Sequence, residues 1–371
     1  MTLNPPLLLV SALFFLALTS VFYLTAWVAA TMALRFGGFS HVANKRVLLI
    51  ALTLPPFLAV VPTVSGAMLK HSHAAQALEH HSAVCGQVFT GLLAAWHFAG
   101  SGAVVDTILG ALVNGSAWLL VGSGLFLVLR LVRATLALER GITMFLQPPS
   151  PPLSRSLARV GQQIPLDAAR FHECAFPATY SSVLGLRRLR CVLSREFVAS
   201  AAAEELDAVV AHEAAHIRAG DVWVTLLVSA LCCLFFLLRP VRLLAHRWRE
   251  EAELACDAAA IRVTRRPLAL AAAILRASGM PVSLPEQKRA LPTVAMSFTD
   301  ESSCSAGKRV ERLMAQADSA SPAEVPESAL KLWSGWLTTL LLGALGVAAL
   351  SSPQMICYAH CSLEAVAHLI P

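Results

Sequence analysis

Long uncharged apolar runs restrict the fold of this chain more than any other feature of its sequence. Residues 7–34 contain no Asp, Glu, Lys or Arg, and such a run exceeds the roughly 20 residues that cross a bilayer core as a helix. The mean hydropathy is +0.64 and only 14% of the residues are charged, against about 25% in soluble domains. Since a backbone inside a bilayer must satisfy its own hydrogen bonds, we predict a mainly α, polytopic membrane protein.

Four apolar segments predict transmembrane helices, at residues 7–34, 47–69, 103–129 and 332–351. No Lys or Arg precedes the first segment, so we interpret it as a retained span and not as a signal peptide. Positive residues follow the first and third spans, which places the N-terminus outside and the segment after the third span in the cytoplasm. The expected location is the cell (inner) membrane, as a multi-pass protein. Because membrane orientation explains the net charge of +6, no direct nucleic-acid binding is predicted.

A soluble composition returns after the third span and predicts a small α+β cytoplasmic domain. The predicted organisation is a three-span region at 1–133 with an external loop at 70–102, a cytoplasmic domain at 134–278 that includes a re-entrant segment at 222–245, a linker at 279–331, a last span at 332–351 and an external tail at 352–371.

Residues 188–193 begin with alternating polar and apolar side chains and predict a short strand. It is either an ordinary sheet strand or an edge strand that pairs with an extended peptide, in which case Arg190 and Val192 bind substrate. Ser200 is the predicted N-cap of the helix that follows, and Gly220 its predicted end.

That helix carries two histidines four residues apart, His212 and His216, with Glu213 between them. Positions i and i+4 share a helix face, so both imidazoles can bind one zinc ion beside the glutamate. The third ligand is predicted downstream at Glu253, because Asp257 lies one helical turn later and can accept a hydrogen bond from a ligand histidine. Glu250 and Glu251 compete for the ligand role but lack an acidic residue at that spacing, which makes them weaker candidates.

Zinc would lower the pKa of its water to about 7, and Glu213 would act as the general base and then as the general acid of peptide hydrolysis. Candidate oxyanion stabilisers are left open among His172, Tyr180, Arg218 and His246.

The metal ligands also restrict the membrane topology. Residues 222–238 are uncharged and long enough to resemble a span, yet a crossing there would separate Glu253 from the histidines. Since zinc ligands lie about 2 Å from the ion, we predict that this segment is a re-entrant or interfacial hairpin, turning near Pro240. The tail then lies outside, and whether its Cys357 and Cys361 form a disulfide is left open.

These motifs resemble the BlaR/MecR-type integral-membrane zinc metallopeptidases. The matching segments are 192–194, 205–216, Asp221, 239–241, 253–257 and 309–313. The resemblance implies that His212, His216 and Glu253 bind zinc and that Glu213 is the catalytic acid and base. It also implies self-cleavage in the linker, with the bond between Ser297 and Phe298 as a candidate. The tail 352–371 has no Ser-x-x-Lys motif, so direct sensing of beta-lactams by a penicillin-binding domain is not expected.

The predicted function is therefore a signal-responsive zinc endopeptidase that cleaves a cytoplasmic regulator, such as a transcriptional repressor, with its active site on the cytoplasmic side. The expected partners are the bilayer and a protein substrate, and a homodimer is left open. Two alternatives remain: a signalling or scaffold protein without proteolysis, and a general membrane quality-control protease.

Overall fold

The computed structural model describes residues 5–69, 102–175, 181–186, 188–279, 296–297 and 306–318. The described part is mainly helical with one small sheet, as the sequence predicts. Its α-helices are α1 Pro5–Phe36, α2 His41–Leu69, α3 Gly102–Thr143, α4 Pro151–Gly161, α5 Arg195–Ser200, α6 Ala203–Ala219, α7 Asp221–Leu234, α8 Arg239–Thr264, α9 Pro267–Gly279 and α10 Ala306–Asp318. Its strands are β1 Leu146–Gln147, β2 Phe171–Cys174, β3 Ser181–Leu184, β4 Arg190–Ser194 and β5 Met296–Ser297.

Three of these helices are long and apolar enough to cross a membrane, at Phe15–Phe36, His41–Val60 and Leu119–Thr143. The pair α6 and α7, bent by 62° at Gly220, raises the number to four if it is counted as one broken span. These helices indicate a membrane protein, with three or up to four candidate spans in its described part. The predicted last span at 332–351 and most of the loop at 70–102 lie outside the described residues.

The chain divides into two compact units. In the first unit, which includes Met1–Arg35 and Ile50–Leu125, the hydroxyl of the buried Tyr23 donates a 2.8 Å hydrogen bond to the Leu52 carbonyl. The second unit, Phe36–Leu49 and Phe126–Ser328, contains the sheet and the candidate site.

The sheet has the strand order β1-β2-β4-β3-β5, with β2 and β4 parallel and the other neighbours antiparallel. Strand β4 is paired on both sides, since Val192 lies opposite His172 in β2 and Ser182 in β3. Of the two alternatives for residues 188–193, the structure shows the ordinary sheet strand and excludes the edge strand, because both rows of its backbone groups face a neighbouring strand. Alternation at the start of a strand reports which faces are buried and carries no information about lateral neighbours.

The helix that carries the two histidines begins later than predicted. Ser200 is not its N-cap, because Ser200 ends the short helix α5 and donates to the Phe197 carbonyl. The N-cap is Ala202, whose backbone N–H donates to the Glu205 side chain at 3.1 Å. Gly220 ends the helix as predicted, with the left-handed φ of +67° that favours glycine.

After Gly220 the chain folds back, since α7 packs against α8. The turn lies at residues 235–238, and Pro240 occupies the first turn of α8, where its missing N–H costs no helical hydrogen bond. The indole of Trp248 is fully buried and is the largest such side chain in α8. The arrangement brings α8 alongside α6, as the predicted hairpin requires.

The predicted linker at 279–331 contains secondary structure in the parts of it that the structure describes. Strand β5 extends the sheet by pairing with β3, and α10 packs against α9.

Replacing Gly220 by Ala is expected to lower the free energy of unfolding by about 1–2 kcal/mol, because a Cβ disfavours the left-handed conformation. No atom lies within 4 Å of a Cβ added at Gly220, so the cost comes from the backbone alone. Chemical or thermal unfolding in detergent measures it. The matched control is Gly161→Ala in α4, where the space is also open and φ is not positive; its stability should stay equal or rise slightly. Equal stability of both variants would contradict a strained position at 220.

Candidate metal centre

Helices α6 and α8 bring three metal-binding side chains together. One ligand atom from each of His212, His216 and Glu253 lies within 4.8 Å of the other two. The two Nε2 atoms are 3.2 Å apart, and the Glu253 carboxylate lies 3.6 Å from the Nε2 of His212 and 3.5 Å from that of His216. All three side chains are buried. The i and i+4 spacing on α6 and the fold-back through α7 together produce this convergence.

The other ring nitrogen of each histidine faces a carboxylate. Nδ1 of His212 lies 3.0 Å from Asp257, the residue predicted to orient a ligand histidine. Nδ1 of His216 lies 2.9 Å from Asp221, at the start of α7. A carboxylate that accepts the Nδ1–H fixes the tautomer and turns the Nε2 lone pair toward a metal.

The contact between Asp221 and His216 is not predicted from the sequence. Its signal in the sequence is weak: an acidic residue directly after the glycine that ends a metal-binding helix. The 62° bend at Gly220 is what returns the Asp221 side chain to His216.

Two positively charged side chains contact these carboxylates, and neither belongs to the site predicted from the sequence. Arg309 of α10 donates to Asp257 through Nε at 2.8 Å and Nη2 at 2.6 Å, and its Nη1 lies 3.0 Å from Glu253. Lys45, near the start of α2, forms a salt bridge with Asp221. The Lys45 ammonium also lies 5.8 Å from the ring centroid of Trp248.

The Glu213 side chain is buried beside the histidines, with 1% of the residue exposed. Neither carboxylate oxygen makes a well-formed hydrogen bond within the described part of the chain, although the Ser181 hydroxyl is near enough to favour the ionised form. Burial outweighs the nearby imidazoles and raises the pKa of Glu213. A buried carboxylate with unused acceptors and a raised pKa suits proton transfer at neutral pH.

The ligand carboxylate behaves in the opposite way. Burial disfavours the charge on Glu253, but Arg309 and the two histidines outweigh that effect and hold the pKa of Glu253 well below its ordinary value. The pKa of Asp257 is lowered for the same reason, with Arg309 again the main opposing influence. Both groups are therefore anions at neutral pH, as a metal ligand and an Nδ1 acceptor must be.

The donor set and charges fit a divalent cation. Two imidazoles and one carboxylate match the ligand types of a catalytic zinc site. Four carboxylates surround the cluster, those of Glu213, Asp221, Glu253 and Asp257, and two of their charges are balanced by Lys45 and Arg309. Neutral imidazoles leave two negative charges, which a divalent metal ion would balance.

A second group of three ligand types, His216, Asp221 and Cys256, shares His216 with the first. The Cys256 sulphur lies 3.3 Å from Nδ1 of His216. Burial raises the pKa of the Cys256 thiol to about 11, so the thiol keeps its proton at neutral pH when no cation is bound.

The remaining predicted residues that the structure describes are not members of the three-ligand group. Glu250 and Glu251 contact His246 and His41 instead, at 3.6 and 2.7 Å. The side chain of Val192 is buried within the sheet. Arg190 lines a cavity of about 780 Å³ whose wall also includes His172 and Trp223. Burial and the charge of Arg190 lower the pKa of His172. Tyr180 lies outside the described residues.

A comparison with known families matches part of the chain. No curated protein matches the chain. A family model described as BlaR1 peptidase M56 matches residues 179–281, the segment that contains α6, α7 and α8. Over residues 179–281, this match confirms the resemblance to BlaR/MecR-type metallopeptidases that the sequence motifs indicate. It supports a membrane metallopeptidase.

Proposed function

We propose that this protein is a zinc endopeptidase of the inner membrane whose active site lies on the cytoplasmic side. The observation that carries the proposal is the paired arrangement of the histidines. Both Nε2 atoms face Glu253, and each Nδ1 has its own carboxylate. Two buried histidines with only a structural role would not require both Nε2 atoms to face one carboxylate, here Glu253, which Arg309 keeps ionised.

His212, His216 and Glu253 would hold the zinc ion, which supplies a Lewis acid that lowers the pKa of a water to about 7 and polarises a peptide carbonyl. Glu213 takes the proton from the attacking water and returns it to the nitrogen of the leaving amine. Asp221 and Asp257 keep the Nδ1 protons in place and so fix the orientation of both rings.

The edge of the sheet near Glu213 suggests how a peptide is presented. Strand β3 packs against α6, and its Ser181 acts on Glu213. Strand β5 pairs antiparallel with β3, so that Ser297 lies opposite Ser182. An extended segment next to the catalytic helix has the geometry of strand addition to a sheet edge. This supports self-cleavage between Ser297 and Phe298, although Phe298 lies outside the described residues.

A protein substrate would pair with β3 in the same way after β5 has left it. We propose a cytoplasmic regulator, such as a transcriptional repressor, as that substrate, because a signal received by the membrane region can then change the sheet edge available to it. Arg190 and Val192 stay predictions as substrate-binding residues, without the backbone pairing that an edge strand would have given them.

The third ligand is tested by comparing Glu253→Gln with Glu250→Gln. Removing the Glu253 carboxylate is expected to weaken zinc binding by at least about 10-fold, since a neutral amide replaces an anionic ligand. Zinc content of the purified protein and competition with a chromogenic chelator measure it. Glu250 lies three residues earlier on the same helix and contacts His246, so Glu250→Gln should bind zinc like the wild type. Equal loss in both variants would contradict Glu253 as the ligand.

The role of Glu213 is tested by Glu213→Gln. Loss of the general base should lower cleavage by about 10²–10⁴-fold, while zinc remains bound because the three ligands are intact. Fragment lengths from cells with the wild-type and variant chains report cleavage of both the protein itself and its targets, and mass spectrometry locates the bond. Undiminished self-cleavage in Glu213→Gln would contradict the proposal, as would zinc-replete wild-type protein with no turnover of any partner.

A further inference from the structure

Two cations reach the metal centre from segments outside residues 179–281, which the family model covers, and the catalytic chemistry proposed above uses neither of them. Lys45 belongs to α2 and Arg309 to α10, whereas the match covers residues 179–281. Each cation binds the carboxylate that orients one of the two histidines: Lys45 binds Asp221, and Arg309 binds Asp257.

We propose that Lys45 and Arg309 are positioning residues through which α2 and α10 set the metal affinity of the centre. The inference rests on the proposed metal site and goes beyond it, because it assigns control of that site to two helices that supply no ligand.

The contacts of Arg309 are those of a positioning group. Its Nε and Nη2 hold both oxygens of Asp257, and its third nitrogen contacts Glu253. One guanidinium thus fixes the relative position of a metal ligand and of the acceptor behind His212. All three side chains are at most 5% exposed, so solvent does little to weaken these ion pairs. The planar, forked shape of arginine is needed for this double contact, and lysine cannot reproduce it.

Lys45 acts on the other histidine, through Asp221. In its salt bridge with Asp221, the lysine side chain is 15% exposed and the aspartate side chain is fully buried. The first turn of α2 contacts α8 a second time, through His41 and Glu251 at 2.7 Å. Lys45 itself lies near the start of the candidate span His41–Val60, so its contact joins a candidate membrane helix to the carboxylate that orients His216.

Helices α2 and α10 therefore act on the same metal centre through different carboxylates. If α10 moves away, Glu253 and Asp257 lose the guanidinium that fixes their relative position. If the start of α2 moves, Asp221 loses its contact with Lys45 in the same way. Either change would weaken metal binding although neither helix supplies a ligand.

The experiment measures zinc affinity in the full-length protein in detergent, by chelator competition, for Lys45→Gln, Arg309→Gln and Arg309→Lys. We expect Lys45→Gln and Arg309→Gln each to weaken zinc binding by about 10–100-fold, the range typical for residues that orient metal ligands. Arg309→Lys keeps the charge but loses the forked contact, and it should give a smaller loss together with a changed visible absorption spectrum of the cobalt-substituted protein. The cobalt spectrum reports ligand geometry, which a residue that only stabilises the fold would leave unchanged.

Matched controls come from the same helices. Arg46 is the exposed neighbour of Lys45, and Arg312 is an exposed arginine one turn beyond Arg309; Arg46→Gln and Arg312→Gln should bind zinc like the wild type. If Arg309→Gln does not fold, Arg309→Lys and Lys45→Gln carry the test, since one keeps the buried charge and the other alters a partly exposed side chain.

Wild-type affinity and spectrum in Lys45→Gln and Arg309→Lys would overturn the inference. Tighter zinc binding in Arg309→Gln would also overturn it, because Arg309 would then act only as a positive charge that competes with the metal. Absence of zinc binding by the wild type itself would overturn the proposed function and this inference together, so the two failures are distinguishable.

Discussion

Four carboxylates buried around two histidines are the constraint on which the second unit depends. Isolated in a desolvated pocket, Glu213, Asp221, Glu253 and Asp257 would shift toward their neutral forms, and the site could hold no cation. The fold prevents this by bringing Lys45 and Arg309 to three of the four. Glu213 is left without a direct cationic side-chain partner among the described contacts, and it is also the one whose raised pKa suits a proton carrier. The distribution of cations therefore separates the groups that must stay ionised from the one that must exchange a proton.

The same cluster constrains the path of the chain between α6 and α8. Hydropathy alone makes α7 a candidate half of a span, but Glu253 follows α7 and contacts residues that precede it. The chain must turn back after α7, and the turn at 235–238 followed by Pro240 permits it. Here a ligand requirement outweighs an apolar composition, because a helix can lie within or at a membrane without crossing it. The left-handed Gly220 contributes from the other end by setting the bend between α6 and α7.

Local patterns in the sequence predicted much of this site, and contacts between distant segments account for what was missed. The spacing of His212 and His216 and that of Glu253 and Asp257 are properties of single helices, so the predicted ligand group matches the one the structure assembles. Lys45 lies 176 residues from Asp221, and Arg309 lies 52 residues from Asp257; no helical or strand period connects such pairs. The position of β4 in the sheet could not be predicted for the same reason. Its neighbours β2 and β3 come from other segments of the chain, and the alternation within β4 does not indicate which strands pair with it.

The corrected sheet order changes where a substrate can bind. With β4 enclosed between β2 and β3, backbone pairing beside α6 is available only along β3 among the strands that the structure describes there, and β5 occupies that position. A peptide substrate and residues 296–297 would then compete for the same backbone groups. Departure of β5, by cleavage or by movement, would free the backbone groups of β3 for a second chain.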